Sequence, residues 1–177
     1  MRQHFYQQIP HWFDFEDVYR DAIARAPSSA VMLELGVYEG ASLAFLAVES
    51  EWSGKRIAIH GVDKFDWPAG VFDRVNGWIA REKLGKAITL HKAFTHEAAS
   101  AFADRSVDFI FVDAGHDSGS VYRDLVTYYP KLKPGGWMAG HDWCDEFPGV
   151  EKACKAFFPQ VGRRVEQCSR RSWRLVP

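Results

Sequence analysis

The 177-residue chain is short of several things, and each shortage closes off a class of explanation. It has three cysteines, Cys144, Cys154 and Cys168, an odd number with no Cys-x-x-Cys pair. Neither a disulfide framework nor a zinc knuckle is expected, and a reducing compartment is the default. Neither charge is in excess: 22 Lys and Arg stand against 23 Asp and Glu, a net charge of −1. No global field therefore recruits nucleic acid or an anionic membrane. The basic pairs Arg163-Arg164 and Arg170-Arg171 are too short to change that. No apolar run approaches the roughly 18 residues of a membrane span. The start, Met1-Arg-Gln-His-Phe-Tyr-Gln-Gln8, lacks the apolar segment of a secretory leader. Internal repeats and low-complexity linkers are missing as well. The expectation is one domain over 1–177, in the cytoplasm.

What is present is apolar and aromatic. Hydrophobic residues make up 47% and aromatics 15%, with seven Trp and thirteen Phe. That length and composition suit a full-sized core, and the aromatics suggest lined pockets or an interface besides. Phe15, Val18, Tyr19, Ala22 and Ile23 recur at helical spacing, with Asp14 as N-cap and Pro27 as stop. They predict a helical extension over residues 1–29. Beyond it, strands and helices alternate. Strands are expected at 31–34, 56–62, 87–91, 107–112 and 137–140, and helices at 43–49, 71–79, 96–103, 120–129 and 150–158. Residues 131–136 read as a loop, and 164–167 with 172–176 as a terminal hairpin. This alternation implies an α/β, Rossmann-like, mostly parallel sheet with helices on both faces and an antiparallel C-terminal hairpin.

The first strand carries the strongest signal. Val31-Met-Leu-Glu-Leu-Gly-Val-Tyr-Glu-Gly40 is an apolar strand that turns on Gly36 and Gly40, and Ser42 opens a helix at once. Glycines allow close approach of backbone to a ligand, and the helix start offers free N–H groups. Glu34 changes the reading. A carboxylate there repels a pyrophosphate and attracts a cation such as the amine of an amino-acid ligand. Asp63 closes the second strand, where its two oxygens match the vicinal hydroxyls of a ribose. Asp113-Ala-Gly-His116 follows the fourth strand and His141-Asp142 the fifth. Two carboxylates with imidazole suit a divalent ion with mixed ligation.

Glu34-x-Gly36-x-x-x-Gly40 resembles the first motif of class I S-adenosylmethionine (SAM) methyltransferases, with Tyr38 where many members have a glycine. Val112-Asp-Ala-Gly-His-Asp117, Lys131-Leu-Lys-Pro-Gly-Gly136 and Gly140-His-Asp142 sharpen the likeness. They resemble a small group that includes macrocin-type sugar O-methyltransferases and relatives of cephalosporin hydroxylase. The resemblance covers roughly residues 30–145. It implies SAM held by Glu34, Gly36, Gly40, Ser42, Asp63 and Asp113, with Phe94 flanking adenine unless it is core. It implies magnesium on Asp113 and Asp142. The residue before the second Asp is commonly acidic in that group; here it is His141, which as a third ligand leans towards manganese, iron or zinc. His116 is nominated as general base. The implied reaction is methyl transfer to an oxygen of a small phenolic or polyhydroxylated acceptor. Two alternatives stand beside it. A nicotinamide-binding oxidoreductase is opposed by Glu34 and by the lack of a full G-x-G-x-x-G. A non-catalytic SAM-fold interaction module is opposed by acids at four strand ends. The expected partners are the acceptor and, if a second subunit completes the site, another copy of the chain. Nucleic acid and membrane are not expected.

Overall fold

The computed structural model describes residues 2–176; Met1, the first residue of the expected extension, and Pro177 lie outside the described residues. Apolar segments of five to nine residues form the strands β1 (Ser29–Leu35), β2 (Arg56–Asp63), β3 (Ile88–Lys92), β4 (Val107–Val112) and β5 (Leu132–Gly140). These run parallel to their neighbours. The short strands β6 (Val165–Gln167) and β7 (Trp173–Leu175) extend the sheet antiparallel, giving the order β3-β2-β1-β4-β5-β7-β6. The helices are α1 (Glu16–Arg25), α2 (Ala41–Ser53), α3 (Val71–Arg81), α4 (Thr95–Ala98), α5 (Ser118–Tyr128) and α6 (Pro148–Phe157). Among the described residues, no helix is long and apolar enough to cross a membrane. This is the Rossmann-like arrangement with an antiparallel terminal hairpin that the alternation predicts.

From β1 the chain steps outward through β2 to β3, then returns to place β4 on the other side of β1. Parallel pairing with short connections makes that reversal a switch point, and the crevice above it is where such sheets bind ligands. At the switch the two strand ends touch. Asp113 N–H donates to the Leu35 carbonyl at 2.8 Å, and Gly36 N–H donates to Val62 at 2.9 Å. Gly36 has φ +90°, and a Cβ on it would stand 2.0 Å from the Asp113 carbonyl oxygen and 2.9 Å from Ala114 Cα. The glycine is needed by the protein's own backbone, whatever ligand approaches.

α2 is buried along most of its length, from Ala41 through Val48. A helix apolar all round belongs in an interior, and here it lies under α1 and the short helical turn Tyr6–Gln8 of the amino-terminal segment. It runs longer than the seven residues read from the sequence because Ser50 and Ser53 remain helical up to the left-handed Gly54. α1 is anchored at its far end by Lys55, whose Nζ donates to the carbonyls of Ile23 and Ala26 at 2.5 and 2.6 Å.

Two local expectations are corrected. Residues 131–136 are not a loop: β5 begins at Leu132, and Pro134-Gly135-Gly136 forms an irregular stretch with a register shift against β4. Gly135 at φ +81° absorbs the extra backbone, as in a bulge. Asp14 does not cap α1. Phe15 holds the N-cap position without a side-chain bond, and the Asp14 carboxylate turns to another partner described below.

Gly36→Ala should lose about 2–4 kcal/mol or fail to fold, because a backbone clash adds to the cost of positive φ. Gly54→Ala has a similar positive φ but meets nothing within 4 Å, and should lose only about 1–2 kcal/mol. Urea unfolding compares them; equal losses would mean that conformation alone, not close packing, makes Gly36 necessary.

Candidate functional site

One cleft of about 1060 Å³ spans the carboxyl ends of the parallel strands. It is lined by Glu34, Gly36, Ser42, Asp63, Phe94, Asp113, His116, His141 and Asp142, residues the sequence singles out from five separate segments. Gly40 stands behind this wall. It begins α2 at φ +84°, with Trp78 packed where its Cβ would be.

Glu34 lies at the end of β1 and is 2% exposed. Both its oxygens have internal donors: Tyr19 Oη donates to Oε2 and Ser42 Oγ to Oε1, each at 2.5 Å. Burial pushes its pKa up to about 8, against the lowering effect of those two bonds. A carboxyl in this state is ready to ionise beside an incoming cation. Helical spacing puts Tyr19 on the apolar face of α1; it is buried there, and its hydroxyl also orients the site acid. Periodicity identifies its buried position but carries no sign of the hydroxyl's partner.

Asp63 closes β2 and organises the turn. Oδ2 accepts from the Val37 and Tyr38 amides at 2.8 and 3.1 Å, and Oδ1 from Phe65 at 2.7 Å. Its oxygens therefore already hold the glycine turn, and only their remaining lone pairs face the cleft. Tyr38 adopts φ +52°, with its ring against Trp12 and Trp67 at centroid distances of 4.7 and 5.5 Å. Trp12 and Trp67 are 72% and 62% exposed, so this aromatic group forms the rim of the cleft. Phe94 is 52% exposed on the same wall and is not core; as the residue before α4 it sits outside the packed face.

The ends of β4 and β5 meet over the switch point. Asp113, His141 and Asp142 each offer a ligand atom within 4.8 Å of the others. His141 is buried; its Nε2 lies 2.8 Å from Asp14 Oδ1, and its Nδ1 lies 3.3 Å from Asp142 Oδ1 and 3.9 Å from Asp113 Oδ1. A carboxylate on one ring nitrogen, with the other turned towards the Asp113 and Asp142 carboxylates, is how metal-binding histidines are commonly oriented. The donor set thus fits a divalent ion. Asp14, read as a helix cap, is the orienting carboxylate. Nothing in its local sequence distinguishes the two roles, because the partner lies at the far end of the chain.

Burial pushes Asp113 up to about 7, and the nearby His141 opposes that rise. Burial acts on Asp142 in the same sense, but the hydrogen bonds from His116 and His141 prevail and hold it well below the usual carboxylate range. His116 Nε2 lies 2.9 Å from Asp142 Oδ2, and this bond raises the imidazole pKa. Burial lowers His141, yet the surrounding carboxylates, Asp142 foremost, raise it overall. The His116 ring rests on Phe147, with centroids 4.3 Å apart, and Arg171 pairs with Glu146 at the cleft edge. Asp117 caps α5 as expected, accepting from the amides of Gly119 and Ser120 at 3.0 Å.

Raised carboxyl pKa values make the free protein less stable as pH rises. The unfolded chain releases the Glu34 proton near the ordinary value of 4.5, while the folded protein keeps it to about 8. Between those values the folded state binds more protons, so its stability falls with increasing pH. Asp113 acts in the same direction up to about 7. Thermal unfolding of ligand-free protein from pH 5 to 8 should show a shallower decline for Glu34→Gln than for wild type. Parallel curves would mean that Glu34 ionises normally.

A family model described as "Methyltransferase domain" matches residues 33–143, more than half of the chain, from β1 through the β5 loop. No curated protein matches. Among solved structures, a Staphylococcus aureus protein assigned as a caffeoyl-CoA O-methyltransferase has a TM-score of 0.74 at 14% identity, covering 97% of this chain and 87% of that one. A TDP-rhamnose 3′-O-methyltransferase of calicheamicin biosynthesis gives 0.69 at 17%, covering 90% and 76%. A precorrin 8W decarboxylase from Methanobacterium thermoautotrophicum gives 0.66 at 18%, covering 96% and 92%. At such identities these likenesses show the fold alone. The matched segment and the shared fold together establish that the chain belongs to the methyltransferase-domain family, on the class I SAM-dependent framework.

Proposed function

We propose that this methyltransferase moves the methyl group of SAM to an oxygen of a small-molecule acceptor, with a divalent ion at the acceptor end of the cleft. The observation that carries the reading is the joining of two unlike halves in one cavity. The β1–β2 half has glycine backbone, a helix start and two acids. The β4–β5 half has the Asp113, His141 and Asp142 group with His116 beside it. The first half suits a nucleoside bearing a cationic amino acid, and the second suits a hydroxyl that must lose its proton.

SAM, when bound, supplies an electrophilic methyl on a sulfonium. The chain's part is to hold it in line with the nucleophile, which can provide most of the rate enhancement in such a transfer. Glu34, kept protonated by burial, ionises beside the ligand ammonium and holds that end of the molecule. Asp63 fixes the turn and offers its spare lone pairs to ribose hydroxyls. The Gly36 turn brings backbone close to the cofactor's amino-acid portion.

At the other half, Asp113, Asp142 and His141 Nδ1 would hold a magnesium or manganese ion, which acts as a Lewis acid that makes a hydroxyl easier to deprotonate. His116 takes the acceptor proton. With its Nε2–H donated to Asp142, Nδ1 carries the receiving lone pair, and Asp142 stabilises the imidazolium that forms. The Trp12, Tyr38 and Trp67 rings wall the mouth of the cleft.

Calorimetric titration with S-adenosylhomocysteine tests the cofactor half. Wild type should bind, and Asp63→Ala should bind at least about tenfold more weakly, since the turn and the hydroxyl acceptor are lost together. Equal affinities would remove Asp63 from the cofactor site. For the acceptor half, screening phenolic and sugar hydroxyl compounds with labelled SAM comes first. His116→Ala should then slow transfer by about 10²–10⁴-fold with cofactor affinity unchanged, and full chelation should abolish transfer until magnesium or manganese is restored. Turnover indifferent to a chelator would leave hydrogen bonding, not an ion, as the role of Asp113 and Asp142.

A further inference from the structure

The C-terminal hairpin brings its turn, residues 168–172, to the mouth of the cleft, and the turn carries a cation that the fold itself hardly uses. Backbone bonds fasten this turn. Trp143 N–H donates to the Arg171 carbonyl and Cys168 N–H to that of Ser172, each at 2.8 Å, and Ser172 N–H donates to Ser169 at 2.9 Å. Gln167 Nε2 adds a bond to the Trp143 carbonyl at 3.0 Å. The turn is thus held against the loop after β5 by its backbone, and the Arg171 side chain is left to line the cleft. A guanidinium has five N–H donors; among the described residues only Nη2 of Arg171 reaches an acceptor, on Glu146. The Glu146 side chain is 63% exposed, and ion pairs so placed contribute little stability. Arg74 differs, engaging Nε, Nη1 and Nη2 with Glu39 and the Ala69 carbonyl. The adjacent Arg170 bonds to the Asp14 carbonyl.

The position of the guanidinium narrows what it would bind. Nη1 lies 3.8 Å from Asp142 Oδ1, and His116 Nε2 lies 2.9 Å from the other oxygen of the same carboxylate. The Phe147 ring spans the interval between them, its centroid 4.3 Å from that of the His116 ring and 5.8 Å from the Arg171 guanidinium carbon. Imidazole and guanidinium therefore stand one ring's length apart on a shared aromatic floor. Asp14, Asp113, Asp142 and Glu146 line this end of the cleft, whereas the other Lys and Arg side chains of the lining, Lys64 and Arg123, belong to the β2 and α5 wall. An anionic group entering here meets one strong donor, and that donor is held only by a surface acid that a ligand acid can replace. A guanidinium matches a carboxylate through two parallel N–H···O bonds. We propose that the acceptor is a hydroxy acid one ring long: its carboxylate takes the place of Glu146 on Arg171, its ring lies on Phe147, and its hydroxyl is brought to His116. This rests on the methyl-transfer reading above and adds to it the charge class of the acceptor. A neutral hydroxyl compound gains nothing from Arg171 and leaves it on Glu146.

The test uses the whole chain, loaded with S-adenosylhomocysteine and magnesium. A matched pair of probes, 3,4-dihydroxybenzoate and its neutral amide, is titrated calorimetrically. Wild type should bind the acid about 10- to 100-fold more tightly than the amide, the range of hydrogen bonds to a charged group. In Arg171→Gln the acid should weaken to the affinity of the amide while the amide itself is unchanged. Parallel weakening of both probes would assign Arg171 a structural role and overturn the proposal. Glu146→Gln should act in the opposite sense, tightening the acid without affecting the amide, because the guanidinium then lacks a charged partner of its own. A wild-type ratio near one would overturn the proposal and leave the methyl-transfer reading standing, as would failure of both probes to bind while S-adenosylhomocysteine binds. Failure of S-adenosylhomocysteine to bind would overturn the methyl-transfer reading, and the proposal with it. Should Arg171→Gln not fold, Glu146→Gln decides: an acid tightened relative to the amide supports the proposal, and an unchanged ratio overturns it.

Discussion

The cleft depends on how closely β1 and β4 approach where they end. The Asp113 amide bonds to Leu35, and the Asp113 carbonyl occupies the space a side chain on Gly36 would need. That contact sets the spacing of the two halves of the site. On one side of it the chain turns through Val37 to Gly40 into α2; on the other, Asp113 leads to His116 and α5. A wider separation would leave Glu34 and Asp113 facing different spaces. Because the contact is backbone to backbone, it leaves little room for adjustment, and the constraint falls on one glycine.

Around this contact the protein keeps several carboxyl groups in places where water hydrates them poorly. Glu34, Asp113 and Asp124 all have raised pKa values because of burial, whereas Asp142 is held low by two histidines. Groups of this kind cluster in functional clefts because binding a complementary ligand relieves the cost of burial. Their distribution is graded along the sheet. Glu34 lies at the end of β1, the imidazole-paired Asp142 just after β5, and Asp124 on α5. A ligand with distinct polar features at its two ends has one favourable direction in such a cleft.

The amino-terminal segment does more than cover the sheet. Its Tyr19 hydroxyl orients Glu34, its Asp14 orients His141, and its Trp12 joins the rim with Tyr38 and Trp67. The two halves of the cleft are thereby braced from one stretch of chain. The Tyr19–Glu34 bond is internal to a dry region, where a satisfied polar pair is held firmly and an unsatisfied one is expensive. Arg170, near the other end of the sequence, adds a bond to the Asp14 carbonyl at 3.1 Å, so the strap is fastened at the β5 side as well.

The sequence by itself determined the strand–helix alternation, the terminal hairpin and the strand-end positions of Glu34, Asp63, Asp113 and Asp142. Each follows from local periodicity and from glycine or acid at the end of an apolar run, which are properties of neighbouring residues. It also held one sign of Asp124: Val121, Asp124, Leu125 and Tyr128 fall on one helical face, and an acid in an apolar stripe is out of place there. What it could not convey was pairing across the fold. Asp14 and His141 are 127 positions apart, and Asp14 has the local features of a helix cap. Phe94 has the composition of a core residue and stands on the cleft wall, because the chain turns into α4 just there. Residues 131–136 have the glycine and proline of a loop, yet neighbouring β4 draws them into the ladder. Only tertiary structure decided these, since burial and partnership depend on which distant segment arrives beside a residue, and hydrogen bonding to that segment outweighs local preference.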